Sequence, residues 1–128
     1  MARKATGPKK ILVADDEKPL ARAFQLKLES AGFEVKTVFN GQDAVEALKG
    51  GGFDLVLLDM VMPTKNGIDV LAEMQSAKIT TPVIVVSNLS QTEDLEKAKH
   101  FGNVVEYFIK SEVPLADIVA RAKKALGT

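Results

Sequence analysis

The chain has 128 residues, 46% of them hydrophobic, enough for one domain with one core and too short for two ordinary domains. Seventeen Lys and Arg balance seventeen Asp and Glu, so no global field draws the protein to nucleic acid or to an anionic membrane surface. With no cysteine, the sequence excludes disulfides, thiolate chemistry and cysteine-rich zinc sites, and no apolar run approaches the ~20 residues of a membrane span.

The start, Met1 to Lys10, is basic and lacks the apolar core of a signal peptide. Residues 1–9 are expected to be a disordered basic tail, residues 10–128 the folded domain, and the location cytoplasmic. Ile11-Leu12-Val13-Ala14 reads as a first strand. The helix after it opens with Pro19, carries Leu20, Phe24 and Leu28 on one stripe, and stops at Gly32. Glu34 to Val38 alternates polar and apolar residues, the pattern of an edge strand. A second helix holds Ala44, Val45 and Leu48 and is broken by Gly50-Gly51-Gly52. Leu55 to Leu58 and Val83 to Val86 are apolar throughout, as strands covered on both faces must be. Between them a third helix follows Gly67 with Ile68, Val70, Leu71 and Met74. A fourth is expected from about Thr92 to Phe101, carrying His100 and closed by Gly102 or Asn103. Tyr107-Phe108-Ile109 forms the last strand, and a final helix presents Leu115, Ile118, Val119, Ala122 and Leu126. Strands alternating with helices predict βαβ units, and hence an α/β domain around a parallel sheet.

Polar residues follow four of these strands at equivalent places: Asp15 and Asp16, Asp59, Ser87, and Lys110. In a parallel sheet they converge on the carboxyl edge, where open α/β folds bind their ligands. An aspartate after a strand is usually a cap or turn residue, and a lone lysine or serine there is ordinarily solvated. For Asp59 that reading is weaker, because Met60-Val61-Met62-Pro63 offers it no immediate helix to cap. The conjunction is the specific signal. Three carboxylates crowded together repel one another and call for a cation, and oxygen donors of this kind suit Mg²⁺, with Mn²⁺ as a substitute.

With these marks in order, the chain resembles the receiver domains of two-component response regulators over roughly Lys10 to Leu126. The resemblance rests on the acidic pair Asp15-Asp16, the strand-end Asp59, the turn Met62-Pro63 leading to Gly67, the hydroxyl of Ser87, the aromatic Tyr107, and Lys110 three residues later. It implies a doubly wound, flavodoxin-like (CheY-like) five-stranded parallel sheet in the order 2-1-3-4-5. It further implies that Asp59 accepts a phosphoryl group from a phosphohistidine on a sensor histidine kinase or phosphotransfer protein. Asp16, Asp59 and the backbone carbonyl of Val61 would hold Mg²⁺, Asp15 would assist through water, and Lys110 and Ser87 would bind phosphoryl oxygens. Ser87 and Tyr107 would form the switch, read by a downstream protein on the surface of the fourth helix, fifth strand and fifth helix. Such a domain promotes its own phosphorylation and slow dephosphorylation and is not a conventional turnover enzyme.

Several residues depart from the family pattern. Asn88 stands where a small residue is usual, and Ser111 replaces the proline usual after Lys110, so the lysine's aim is expected to come from packing alone. Asn66 takes the place of a common aspartate, a small change in a turn. Val61 and Leu89 occupy the places that control the hydrolytic water, and neither side chain hydrogen-bonds. Together with Asn88 they predict slow loss of the phosphoryl group. A flavin-binding flavodoxin is disfavoured because Asp15-Asp16-Glu17 would repel a cofactor phosphate. A haloacid dehalogenase-like hydrolase wants its Asp-x-Asp after the first strand, which is missing. A degenerate receiver serving as an interaction scaffold would not be expected to retain every charged site residue.

Overall fold

The computed structural model describes residues 8–88 and 92–127. The proposed tail residues 1–7, and Leu89, lie outside them. Five parallel strands, β1 (Lys10–Ala14), β2 (Glu34–Val38), β3 (Leu55–Leu58), β4 (Val83–Ser87) and β5 (Val104–Ile109), form one sheet in the order β2-β1-β3-β4-β5. Five helices alternate with them: α1 (Lys18–Ser30), α2 (Gly41–Lys49), α3 (Gly67–Ser76), α4 (Thr92–Ala98) and α5 (Leu115–Ala125). The fold expected from the sequence is the one observed. At the start of the sheet, the Glu34 amide donates to the Lys9 carbonyl at 2.9 Å, carrying the ladder one residue before β1.

Side chains on a strand alternate between faces, and here that period sorts the core into two layers. Leu12, Ala14, Val56, Leu58, Val83 and Val85 face α2, α3 and α4, meeting Val45, Leu48, Val70, Leu71 and Met74. Ile11, Val13, Leu55, Leu57, Ile84 and Val86 face α1 and α5, meeting Phe24, Leu28, Ile118 and Ala122. A central strand must therefore be apolar at every position, which explains the unbroken runs in β1, β3 and β4. At the edge, β2 has a single fully buried residue, Val38.

The helix ends are fixed by local chemistry. At the end of α1, Gly32 has φ +98°, and the Phe33 amide returns to the Leu28 carbonyl at 3.1 Å, closing the helix. Asn40 caps α2 by accepting from the Asp43 amide at 2.8 Å. Asn66 and Asp69 form a reciprocal capping box at α3, a stronger role than a simple turn residue has. One boundary differs from the expectation: α4 ends at Ala98, so His100 lies beyond the helix. Its amide donates to Lys97, and that of Phe101 donates to Ala98, each a three-residue span that tightens the chain out of α geometry.

Candidate acidic site at the carboxyl edge of the sheet

Strand register brings the site together. Ala14 is paired with Leu58, so the residues that follow them, Asp15 and Asp59, are neighbours. The Asp59 amide donates to the Ala14 carbonyl at 2.9 Å, and the Asp15 amide to the Val38 carbonyl at 3.1 Å. Both carboxylates are buried, whereas Asp16 is exposed, and one oxygen from each of the three lies within 4.8 Å of the others. That donor set fits a hard divalent cation.

Lys110 enters from β5. Its ammonium lies 3.0 Å from Asp15 Oδ2, 3.0 Å from Glu17 Oε1 and 3.4 Å from Asp59 Oδ2. The sequence suggested that packing alone would aim this lysine, and the structure corrects that. The Lys110 amide donates to the Ser87 carbonyl at 2.7 Å, anchoring the backbone, and three carboxylates hold the tip.

The electrostatics follow from burial. Asp59 is pushed up to about 7, chiefly by loss of hydration and next by the charge of Asp15, with Lys110 opposing. Asp15 is raised too, again mainly by burial. For Lys110, burial works against the charged form, but the carboxylates of Asp15, Asp59 and Glu17 outweigh it and raise the lysine above its ordinary value.

The other expected residues are more loosely gathered. Ser87 is wholly buried at the end of β4, and its hydroxyl donates to the Asn88 carbonyl at 3.4 Å. Asn88 is exposed. The Val61 side chain is 47% exposed at the lip of the site, with its amide 3.5 Å from Asp59 Oδ1. Tyr107 points outward, 40% exposed, with the Lys99 ammonium 4.8 Å from its ring centroid.

Two features of the site escaped sequence reading. Glu17, read there only as part of an acidic run, reaches Lys110 from the N-cap of α1. The loop after β3 is docked on the start of α2: the Gly41 amide donates to the Pro63 carbonyl and the Gln42 amide to Thr64 Oγ1, each at 3.1 Å. A side chain at Gly41 would run into the Lys65 carbonyl. At Gly67, a Cβ would stand 2.8 Å from the carbonyl of Asp59, so the absence of a side chain lets α3 start against the back of the site. The Asn-Gly pair before α2 was a visible signal for a close turn, though not for its partner loop.

Comparison with known proteins gives a consistent result. A family model described as the response regulator receiver domain matches residues 11–123. The transcriptional regulatory protein DltR of Streptococcus agalactiae is 40% identical over 114 residues, 89% of this chain and 50% of that protein. The cell cycle transcriptional regulator CtrA of Caulobacter vibrioides is 32% identical over 112 residues, 88% of this chain and 48% of that protein. The chain thus spans about half the length of these curated relatives. Among solved structures, the Francisella response regulator 1452 receiver domain superposes with a TM-score of 0.81 at 30% identity, covering 91% of this chain and 95% of that one. The response regulator TrrA of Thermotoga maritima, in complex with Mg(2+)-BeF, superposes with a TM-score of 0.77 at 30% identity, covering 91% of this chain and 98% of that one.

Proposed function

The chain belongs to the response regulator receiver domain family of two-component systems, and from that membership and its acidic pocket we propose that it is a switch phosphorylated on Asp59. The observation that carries this reading is the Lys110 ammonium, seated 3.0 and 3.4 Å from the carboxylates of Asp15 and Asp59 at adjacent strand ends. Phosphoryl transfer asks a protein chiefly for positioning and for positive charge around the phosphoryl oxygens. In the proposed step, an Asp59 carboxylate oxygen attacks phosphorus, a new oxygen–phosphorus bond forms, and the phosphorus–nitrogen bond of a kinase phosphohistidine breaks. Lys110 and Ser87 take phosphoryl oxygens, Ser87 by donating its hydroxyl.

Asp15, Asp16 and Asp59, with the Val61 carbonyl, are the groups that would hold Mg²⁺ or Mn²⁺; a neighbouring crowd of carboxylate oxygens supports that assignment. The ion, when bound, supplies positive charge that favours ionised Asp59 and neutralises the incoming phosphoryl group. Ser87 and Tyr107 form the proposed relay. Drawing the Ser87 loop inward opens room for the outward-facing Tyr107 ring, and a downstream protein reads the change on α4, β5 and α5. The protein acts in the cytoplasm through protein contacts, with a sensor histidine kinase or phosphotransfer protein upstream. Its balanced charge argues against nucleic-acid binding by this domain, and among the described residues no helix is long and apolar enough to cross a membrane. It promotes its own phosphorylation and does not turn over a substrate.

Intact-mass measurement tests this reading. Acetyl phosphate with Mg²⁺ is expected to add one base-labile phosphoryl group to the wild type, none without the metal, and none to Asp59→Asn. Equal labelling of the variant would move the acceptor, and no labelling of either would favour the scaffold reading.

A further inference from the structure

Lys110 has three N–H bonds to donate, and all three have carboxylate partners: Asp15, Glu17 and Asp59. Two of these partners belong to the buried pair, but Glu17 does not. Its side chain is half-exposed, it sits at the N-cap of α1, and it makes no side-chain capping bond there. Its backbone starts the helix, with the carbonyl accepting from the Ala21 amide at 2.9 Å and the amide donating to Asp15 Oδ1 at 2.9 Å, while its carboxylate meets the lysine. The contact lengths are uneven, with Asp15 and Glu17 at 3.0 Å and Asp59 at 3.4 Å, so the ammonium is drawn toward the α1 side of the pocket and away from the acceptor.

The geometry points to Glu17 as a positioning residue that restrains phosphorylation by holding Lys110 off Asp59. The inference rests on the proposed function and deepens it. When Asp59 carries a phosphoryl group, the N–H that faces Asp59 passes to a phosphoryl oxygen standing further from the sheet edge, and the ammonium must move to follow it. The bond to Asp15 lies in the buried wall, so the solvent-side bond to Glu17 is the one to be released. The pocket allows this movement. The Lys110 backbone is fixed by its bond to Ser87, whereas its stem lies beside a small cavity of about 60 Å³ lined by Leu20, Phe24, Val86 and Ile118. The tip can swing while the strand stays in place.

A half-exposed ion pair of this kind is worth roughly a two- to fivefold change in an equilibrium. Glu17→Gln, at saturating Mg²⁺, is therefore expected to tighten beryllofluoride binding and speed labelling by acetyl phosphate by roughly that factor. Mg²⁺ affinity alone, followed by amide chemical shifts, moves the other way, because a negative charge has left the pocket and Lys110 presses harder on Asp59. Glu17→Asp separates contact from simple repulsion of an anionic donor. It keeps the charge but is shorter by one carbon, about 1.5 Å, and an aspartate at an N-cap turns toward the helix amides. If contact with Lys110 is the restraint, Glu17→Asp behaves like Glu17→Gln. If it behaves like the wild type, or if Glu17→Gln binds beryllofluoride no better, the inference is overturned. These variants are compared with a wild type that labels on Asp59. A wild type that does not label overturns the proposed function itself.

Discussion

All four residues of β3 are buried, whereas β5 alternates between half-buried and exposed positions. Both strands deliver a charged group to the same pocket: Asp59 directly follows β3, and Lys110 directly follows β5. Packing on both faces leaves β3 no freedom, and the loop beyond Asp59 is pinned by Gly67, Gly41 and Thr64. Along β5 the register with β4 slips between Val83 and Ile84, leaving Val105 without a partner and 50% exposed. Tyr107 lies out on the same strand. The acceptor is thus mounted after a wholly buried strand, and the lysine and the exposed ring belong to a less buried one. An event at Asp59 can be passed to the side of the fold that costs least to move.

Stability should divide along the same line. Leu57→Ala, emptying a fully buried site in β3, is expected to cost about 3 to 4 kcal/mol in urea unfolding. Val105→Ala on β5 is expected to cost less than about 1 kcal/mol. Equal losses would break the contrast between the two strands.

The next largest effect is electrostatic. In the metal-free protein, Asp59 is raised to about 7 from an unfolded value near ~3.9, so between these pH values the folded state holds more protons than the unfolded one. Its contribution to stability is therefore fullest below about pH 4 and is lost as pH rises through 7. Asp15, also raised, works in the same direction, while the raised Lys110 loses its contribution only in the alkaline range. Asp59→Asn removes the penalty. Its melting temperature should exceed that of the metal-free wild type by roughly 5–10 °C at pH 8, with the gap closing at pH 5. A constant gap across that range would mean that Asp59 is not the group responsible.

The smallest effect concerns the lip of the site, where Val61 is exposed but cannot orient a water. Val61→Asn adds one hydrogen bond of ~1 kcal/mol, which corresponds to a roughly fivefold faster loss of phosphorylated mass after the donor is removed. Unchanged decay would mean that Val61 does not set the lifetime.

The sequence by itself determined the element order, the parallel sheet, and the gathering of Asp15, Asp16, Asp59 and Lys110. Each of these follows from period and from position relative to a strand end, and a parallel sheet places all of its strand ends on one edge. It also marked Ser87 as a strand-end hydroxyl, through the apolar run before it and its company with the other strand-end polar residues. Tertiary structure decided the rest, because these contacts join residues far apart in the chain through distances that no spacing encodes. Glu17 and Lys110 meet across 93 residues, and the α2 start meets the β3–α3 loop through a turn that only a glycine at 41 permits. The end of α4 at Ala98 was equally invisible, since the residues beyond it keep a helical pattern and only the three-residue hydrogen bonds reveal the tighter turn. The ionisation of Asp59 is likewise a tertiary property. Its carboxyl group is ordinary chemistry until the folded chain removes its water and sets Asp15 beside it.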